Sequence, residues 1–201
     1  NKTTEEARFL VSEMLPSLDE MEGINVVLCP PYTSLLPVAA LLQGSNIGLG
    51  AQNMHWEAKG AFTGELSPSM VAEFCGYVII GHSERRTYFG ETDETVNKKL
   101  LSAGIAGLTP IICVGETLEE YESGLTSTIV EKQLRGGLKS ITQEIAARIV
   151  IAYEPVWAIG TGKAATGKQA NDTIGLRRWN LSGLYGRKAA EHMDEVVWEK
   201  I

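Results

Sequence analysis

The sequence predicts an α/β fold in which parallel strands alternate with helices, and three observations predict it. Five runs read as strands: 26–31 (VVLCPP), 47–53 (IGLGAQN), 77–83 (YVIIGHS), 108–116 (LTPIICVGE) and 149–155 (IVIAYEP). They are nearly continuous in apolar residues rather than alternating, the pattern of strands covered on both faces. Helical periodicity fills the gaps between them. The runs begin at residues 26, 47, 77, 108 and 149, so successive starts lie 21, 30, 31 and 41 residues apart, the spacing of a βα repeat. Polar residues gather at the carboxyl ends of the runs: Gln52 and Asn53, His82 and Ser83, Glu116, Glu154. A closed barrel exposes its chemistry at that rim, and an open doubly wound sheet exposes it at its strand ends, so periodicity leaves both architectures open.

The first helix is expected over residues 3–21. Thr3-x-x-Glu6 is a capping box, and Ala7, Leu10, Met14, Leu18 and Met21 fall on one stripe. Pro16 should kink or shorten it. A second helix over 34–43 ends at Gly44. Ser67 with Pro68 starts a third, which Gly76 ends. A fourth spans 92–103 and stops at Gly104. Residues 117–147 have room for two helices broken by Gly136 and Gly137, and 169–190 hold one or two more.

Composition excludes several function classes. Eighteen basic and 25 acidic residues leave a net charge of −7, so no diffuse attraction favours nucleic acid or anionic lipid as a partner. A small anionic ligand remains compatible, because a site is local. A hydrophobic share of 44% with 21% charged residues suits a folded globule. No apolar run approaches the roughly 18 residues of a membrane helix, and the first residues, NKTTEEARF, lack an apolar secretory core. Cys29, Cys75 and Cys113 sit in apolar stretches without a CxxC pair, which reads as reduced, buried thiols in a cytoplasmic protein.

The chemistry-bearing motifs follow the strands. Glu154 ends the fifth run, in YEPVW. A carboxylate there is costly to bury without a partner, and desolvation would raise its pKa toward that of a general base. A salt-bridged structural carboxylate is the plainer reading. The segment after it has a stiff start at Pro155, an apolar middle and a glycine end, which suits a lid. The span 162–168 (GKAATGK) nearly fits a nucleotide-phosphate loop but is followed by Gln169, so the metal-binding hydroxyl is missing. His82 opens five polar residues, His-Ser-Glu-Arg-Arg, directly after an apolar run. Amides of the helix that begins there could keep the imidazole neutral and able to donate a proton. Without a GxSxG elbow, Ser83 is not expected to be a nucleophile. His55 and His192 lack such company. No spacing resembles a metal site, so neither a metal nor another cofactor is expected. Gly60-Ala-Phe-Thr-Gly-Glu65 is a glycine-bounded loop with an exposed Phe62 that could anchor in a partner subunit.

Five blocks, in this order along the chain, resemble the triosephosphate isomerase family: CPPYTSL (29–35), GAFTGE (60–65), IIGHSERR (79–86), PIICVGET (110–117) and AYEPVWAIGTGK (152–163). The similarity runs from about residue 2 to about residue 193. It implies a TIM-type (β/α)8 barrel forming one domain over residues 1–201. It also implies a homodimer that interconverts dihydroxyacetone phosphate and glyceraldehyde 3-phosphate. By this resemblance Glu154 is the base, His82 the neutral electrophile and Glu84 a supporting carboxylate. Pro155, Val156, Trp157, Ala158, Ile159, Gly160, Thr161, Gly162 and Lys163 form the lid, with the Gly160 amide on the substrate phosphate. Phe62, Thr63, Gly64 and Glu65 form the dimer loop, Thr63 at its tip.

The family pattern is not met in full. Its first strand and strand-end lysine precede the motif that Asn1-Lys2-Thr3 resembles, and its Gly-Gly-Ser phosphate turn and eighth strand have no counterpart here. Residues 194–201 (DEVVWEKI) fall where a seventh strand would begin. The barrel is therefore expected to be incomplete within these 201 residues. Isomerisation by a polypeptide of only these residues is expected to be severely impaired, since loss of one charge-stabilising donor typically costs ~10²–10³ in rate. The alternative is an inactive barrel fragment that acts as an assembly or binding module. An aldolase or epimerase is disfavoured, because none of the five runs ends in a Schiff-base lysine.

Overall fold

The computed structural model describes residues 2–158 and the backbone of 195–197. The chain divides into two compact units, Asn1–Ile79 with Ser102–Thr109, and Ile80–Leu101 with Pro110–Ile201. Both repeat the predicted alternation of parallel strands and helices, the pattern of a (β/α) barrel present in part.

In the first unit, α1 (Thr4–Asp19) opens on the expected capping box: the Thr3 side chain accepts from the Glu6 amide, and the Glu6 carboxylate accepts from the Thr3 N–H at 2.8 Å. Pro16 does not shorten the helix, which continues to Asp19. The bond that Pro16 cannot donate belongs to the carbonyl of Ser12, an exposed residue. The buried stripe is also displaced from the expected one. Ala7 and Val11 are buried, while Leu10 and Met21 are exposed, because the face turned to α2 (Leu35–Leu41) follows the 7–11–14–18 ridge.

Strand β1 (Val27–Leu28) pairs in parallel with β2 (Gly48–Ala51), which pairs in parallel with β3 (Tyr77–Ile80). Ser67 caps α3 (Pro68–Ala72) by accepting from the Met70 amide, and the helix ends four residues before Gly76. Met54, Val38, Val71, Val78 and Ala103 are the best buried apolar residues of this unit.

In the second unit, α4 (Ser83–Phe89) is followed by α5 (Asp93–Ile105), whose last turn falls in the first unit. The helix runs through Gly104, and the left-handed residue that turns the chain is Gly107. Strand β4 (Thr109–Val114) pairs in parallel with β5 (Val150–Tyr153) in the register Ile111↔Val150 to Val114↔Tyr153. Three helices, not two, lie between them: α6 (Leu118–Glu122), α7 (Thr126–Gly137) and α8 (Gln143–Ala146). Gly136 and Gly137 do not break α7 but form its last two residues. A Cβ on Gly136 would lie 2.7 Å from the Asp93 Cβ, and one on Gly137 3.1 Å from Ile112 Cδ1. The glycines are there for close packing. Strand β6 (Glu195–Val197) pairs in parallel with β5, so a strand does form where the seventh family strand was expected.

Each of the five expected strands is shorter than its apolar run and stops before the polar residues, with the Glu154 N–H still bonded across to the neighbouring strand, at the Val114 carbonyl. His82, Glu116 and Glu154 consequently sit one or two residues past β3, β4 and β5. The helices expected over 169–190 lie outside the described residues.

Candidate active site

Gly81 re-aims the chain after β3. Its φ is +79°, a left-handed conformation that favours glycine, and a Cβ there would press on Val96 Cγ2 at 3.1 Å and the Cys113 carbonyl at 3.3 Å. The Gly81 carbonyl accepts from Arg86 Nε at 2.9 Å, while Arg86 Nη1 pairs with Asp93 at 2.7 Å. A second cluster ties α4 to α5: buried Glu91 takes Arg85 Nε at 3.1 Å and Lys99 Nζ at 2.8 Å. His82 is thereby fixed as the N-cap of α4.

The imidazole is held at both nitrogens. Nδ1 accepts from the Glu84 amide at 3.2 Å, which leaves the ring proton on Nε2 of the neutral tautomer. Nε2 lies 3.0 Å from Glu154 Oε1. Ser83 supplies two more donors to the same carboxylate, its amide to Oε2 at 3.0 Å and its hydroxyl to Oε1 at 2.7 Å. Glu154 is only 2% exposed.

The protonation of Glu154 differs from the sequence expectation. Burial is the strongest single influence and pushes its pKa up. The hydrogen bonds from His82 and Ser83 together outweigh it and hold the carboxyl below its ordinary value. A carboxylate at a strand end announces desolvation, but only the fold reveals that three donors converge on it.

Glu84 enters through its backbone. Its amide binds His82, and its side chain is at the exposed surface of α4. The first residues of the expected lid form a short 3-10 turn, Val156–Ala158, after buried Pro155. Trp157 is buried, stacks on Tyr121 at 4.5 Å, and donates its indole N–H to Glu116 Oε1 at 3.0 Å. Ile159, Gly160, Thr161, Gly162 and Lys163 lie outside the described residues, as does the 162–168 glycine-lysine loop.

Two elements of this region went unassigned in the sequence. Glu116 is fully buried and accepts from the Tyr153 hydroxyl at 2.9 Å, from Thr126 at 3.2 Å and from Trp157. Its signal was its place at a strand end. Gln133, on α7, uses its amide group to accept from the Gly115 N–H at 2.9 Å and to donate to the Gly115 carbonyl at 3.0 Å. Nothing in its helical surroundings announced it.

The glycine-bounded loop expected to meet a partner subunit lies in the first unit. Phe62, Thr63, Gly64 and Glu65 are exposed, and the Glu65 amide closes a turn on the Phe62 carbonyl at 3.0 Å. The Phe62 ring lies against His55 at 4.4 Å, and His55 stacks on Trp56 at 4.1 Å. His55 is thus packed between aromatic rings, without the run of polar residues that follows His82. Among the described residues, no group of three or more His, Cys, Asp or Glu is placed to hold a metal ion, and no helix is long and apolar enough to cross a membrane.

A family profile described as triosephosphate isomerase matches residues 1–194. Among similar proteins, the triosephosphate isomerase of Carboxydothermus hydrogenoformans is 53% identical over 191 residues, covering 94% of this chain and 76% of that protein. That of Clostridium tetani is 52% identical over 194 residues, covering 96% and 76%, and that of Dehalococcoides mccartyi strain CBDB1 is 51% identical over 191, covering 95% and 74%. The chain thus spans about three quarters of the length of these relatives. Similarity of this extent and identity means that the chain belongs to the triosephosphate isomerase family.

Proposed function

We propose that this chain is an intramolecular aldose–ketose isomerase that interconverts dihydroxyacetone phosphate and D-glyceraldehyde 3-phosphate through an enediol(ate), in the cytoplasmic reactions of glycolysis and gluconeogenesis. Family membership supports the reaction. The observation that carries the assignment of roles is the 3.0 Å approach of His82 Nε2 to Glu154 Oε1 at a buried position.

Glu154 is the base. Its donors keep it ionised, and burial keeps water from it, so the carboxylate accepts a proton from the carbon beside the substrate carbonyl. To reach that carbon it must exchange the Ser83 and His82 bonds for the substrate. The electron pair left on carbon moves to the carbonyl oxygen. His82 Nε2–H donates to that oxygen and stabilises the charge developing there. Glu154 then returns the proton to the neighbouring carbon, while the hydroxyl proton of the first carbon passes by way of His82 to the oxygen of the former carbonyl, so that the first carbon becomes the new carbonyl. The step balances with one carboxylate and one imidazole, and calls for no cofactor. The pairing of a glutamate base with a neutral histidine is the family's pattern, carried onto these two positions.

The lid runs from Pro155 to Lys163, with the Gly160 amide on the phosphate. Trp157, tied to Glu116 and Tyr121, anchors its first turn. Closure excludes water, which protects the enediolate. Residues 1–201 belong to one barrel domain, and the loop Phe62, Thr63, Gly64 and Glu65 reaches toward the second subunit of a homodimer.

The test is a titration with glycerol 3-phosphate, a three-carbon phosphate that lacks the carbonyl and so cannot react, observed through the nuclear magnetic resonance signals of His82 and Glu154. It is paired with a coupled isomerase assay of the parent and Glu154→Gln. Perturbation of both residues, and a fall of about 10²–10⁴ in kcat in the variant, are expected. Unmoved signals, or measurable turnover that is equal in parent and variant, would sink the assignment. An assembly module would instead associate with rising concentration and be indifferent to Glu154→Gln.

A further inference from the structure

The backbone that carries Glu154 is seated on a residue with no side chain. The Glu154 amide donates to the Val114 carbonyl at 2.8 Å, the last ladder bond between β4 and β5. Next to it lies Gly115, where an added Cβ would overlap the Glu154 carbonyl oxygen. Gly115 is past the end of β4, so its own N–H and C=O have left the ladder. One side chain takes both, through the two Gln133 bonds of 2.9 and 3.0 Å. A primary amide can do this because it offers an acceptor and a donor side by side, spaced like a neighbouring strand.

Gln133 stands on a well-fixed helix. Val130 and Leu134 of α7 are buried at 3% and 1% exposure. Its final carbonyl, that of Gly137, and the following one of Lys139 both accept from Asn97 Nδ2 at 2.7 Å. The Gly115 peptide also leads directly into Glu116, which holds Tyr153 and Trp157 on either side of Glu154.

We infer that Gln133 is a positioning residue: by holding both the N–H and the C=O of Gly115 it fixes the backbone of Glu154, and so keeps the carboxylate within reach of Ser83 and His82. The inference deepens the isomerase reading and rests on Glu154 being the proton-transferring group. It predicts that a change on α7, with no contact to Glu154, alters the chemistry of that carboxylate.

The variant Gln133→Met keeps the length and loses both bonds. Gln133→Glu keeps the acceptor for the Gly115 N–H and loses the donor while ionised. Val130→Ala, one turn earlier on α7, removes buried apolar contact and leaves Gly115 untouched. In the full chain, carboxyl ¹³C and imidazole ¹⁵N resonances report the titration of Glu154 and the hydrogen bond at His82 Nε2. In Gln133→Met the Glu154 titration is expected to move up toward the ordinary glutamate range and the His82 Nε2–H signal to shift. Gln133→Glu should do the same to a smaller extent, and Val130→Ala should do neither. Where turnover is measurable, kcat in Gln133→Met falls about ten- to a hundredfold with KM nearly unchanged, the signature of a misplaced base. Should Gln133→Met fail to fold, Gln133→Glu carries the comparison. Folded variants with Glu154 and His82 signals identical to the parent would overturn the inference. So would equal shifts in Val130→Ala, which would reduce the role to general stability. A Glu154→Gln protein that still turns over would end the base assignment, yet leave the Gln133-to-Glu154 coupling to be judged by the resonances alone.

Discussion

His82 Nε2 and Glu154 Oε1 stand 3.0 Å apart, joined by the one proton of an imidazole whose other nitrogen is occupied by the Glu84 amide. The distance leaves no slack for a shorter side chain. In Glu154→Asp the carboxylate retreats by one methylene from His82 and from the substrate carbon. Misplacement on the scale of an ångström typically costs about 10² in rate. The coupled assay of an active barrel should therefore place Glu154→Asp about a hundredfold below the parent in kcat, with KM little changed. Parent-like turnover would mean that the carboxylate is mobile enough not to need this geometry.

The low pKa of Glu154 has a stability consequence. A carboxyl lowered in the folded state contributes stability that is complete above its unfolded value and is lost as the pH falls through its folded value. Removing the Ser83 hydroxyl in Ser83→Ala takes away one of the donors and should move acid unfolding to higher pH. His82→Leu removes the strongest of the lowering contacts and should move it further. Circular dichroism against pH is the measurement. Hydrogen bonds to charged groups are worth about 1.5–3 kcal/mol, so either variant should be detectably weaker near neutrality. An unchanged acid limb in both would remove these donors as the cause of the lowered pKa.

Glu116 is buried with hydroxyls from Thr126 and Tyr153 and the indole of Trp157 turned toward it. Glu116→Gln keeps the shape but replaces an acceptor oxygen by a donor group, so Tyr153, the one donor that reaches both Oε1 and Oε2, loses its second acceptor and all three donors crowd onto a single oxygen. The expected cost is about 1–3 kcal/mol in urea unfolding. The Trp157 environment should become more polar, giving red-shifted fluorescence in a protein whose other tryptophans are replaced by phenylalanine. Blue or unshifted emission would argue against the Trp157–Glu116 tie.

Burial pushes the Cys29 thiol up to about 12 and the Cys75 thiol to about 11. The thiolate is the reactive form, and free cysteine titrates near 8.5. At pH 8 the native chain should react with iodoacetamide at these positions at least a hundredfold more slowly than the urea-unfolded chain. Mass spectrometry of the alkylated peptides measures it, and fast native labelling of Cys29 would show the site to be open.

The sequence by itself determined the alternation of strands and helices and the polar residues that follow the strands, His82 and Glu154 among them. These follow from local rules: apolar runs mark doubly covered strands, capping residues mark helix starts, and the five blocks carry the family resemblance. It placed the strand ends too late, because a polar residue after an apolar run looks like part of the run until its backbone turns away. It also misjudged Gly104 and the Gly136–Gly137 pair, because a glycine chosen for close packing reads the same as one chosen for a turn.

Only the tertiary structure decided the charge state of Glu154. Desolvation can be anticipated from one segment, but the opposing hydrogen bonds come from His82 and Ser83 on another, and their sum sets the sign. The same holds for Gln133 and Gly115, two unremarkable letters 18 residues apart in sequence. Hydrogen bonding is directional and short-ranged, so which donors meet which acceptors is settled by how the elements pack, and no local pattern records it.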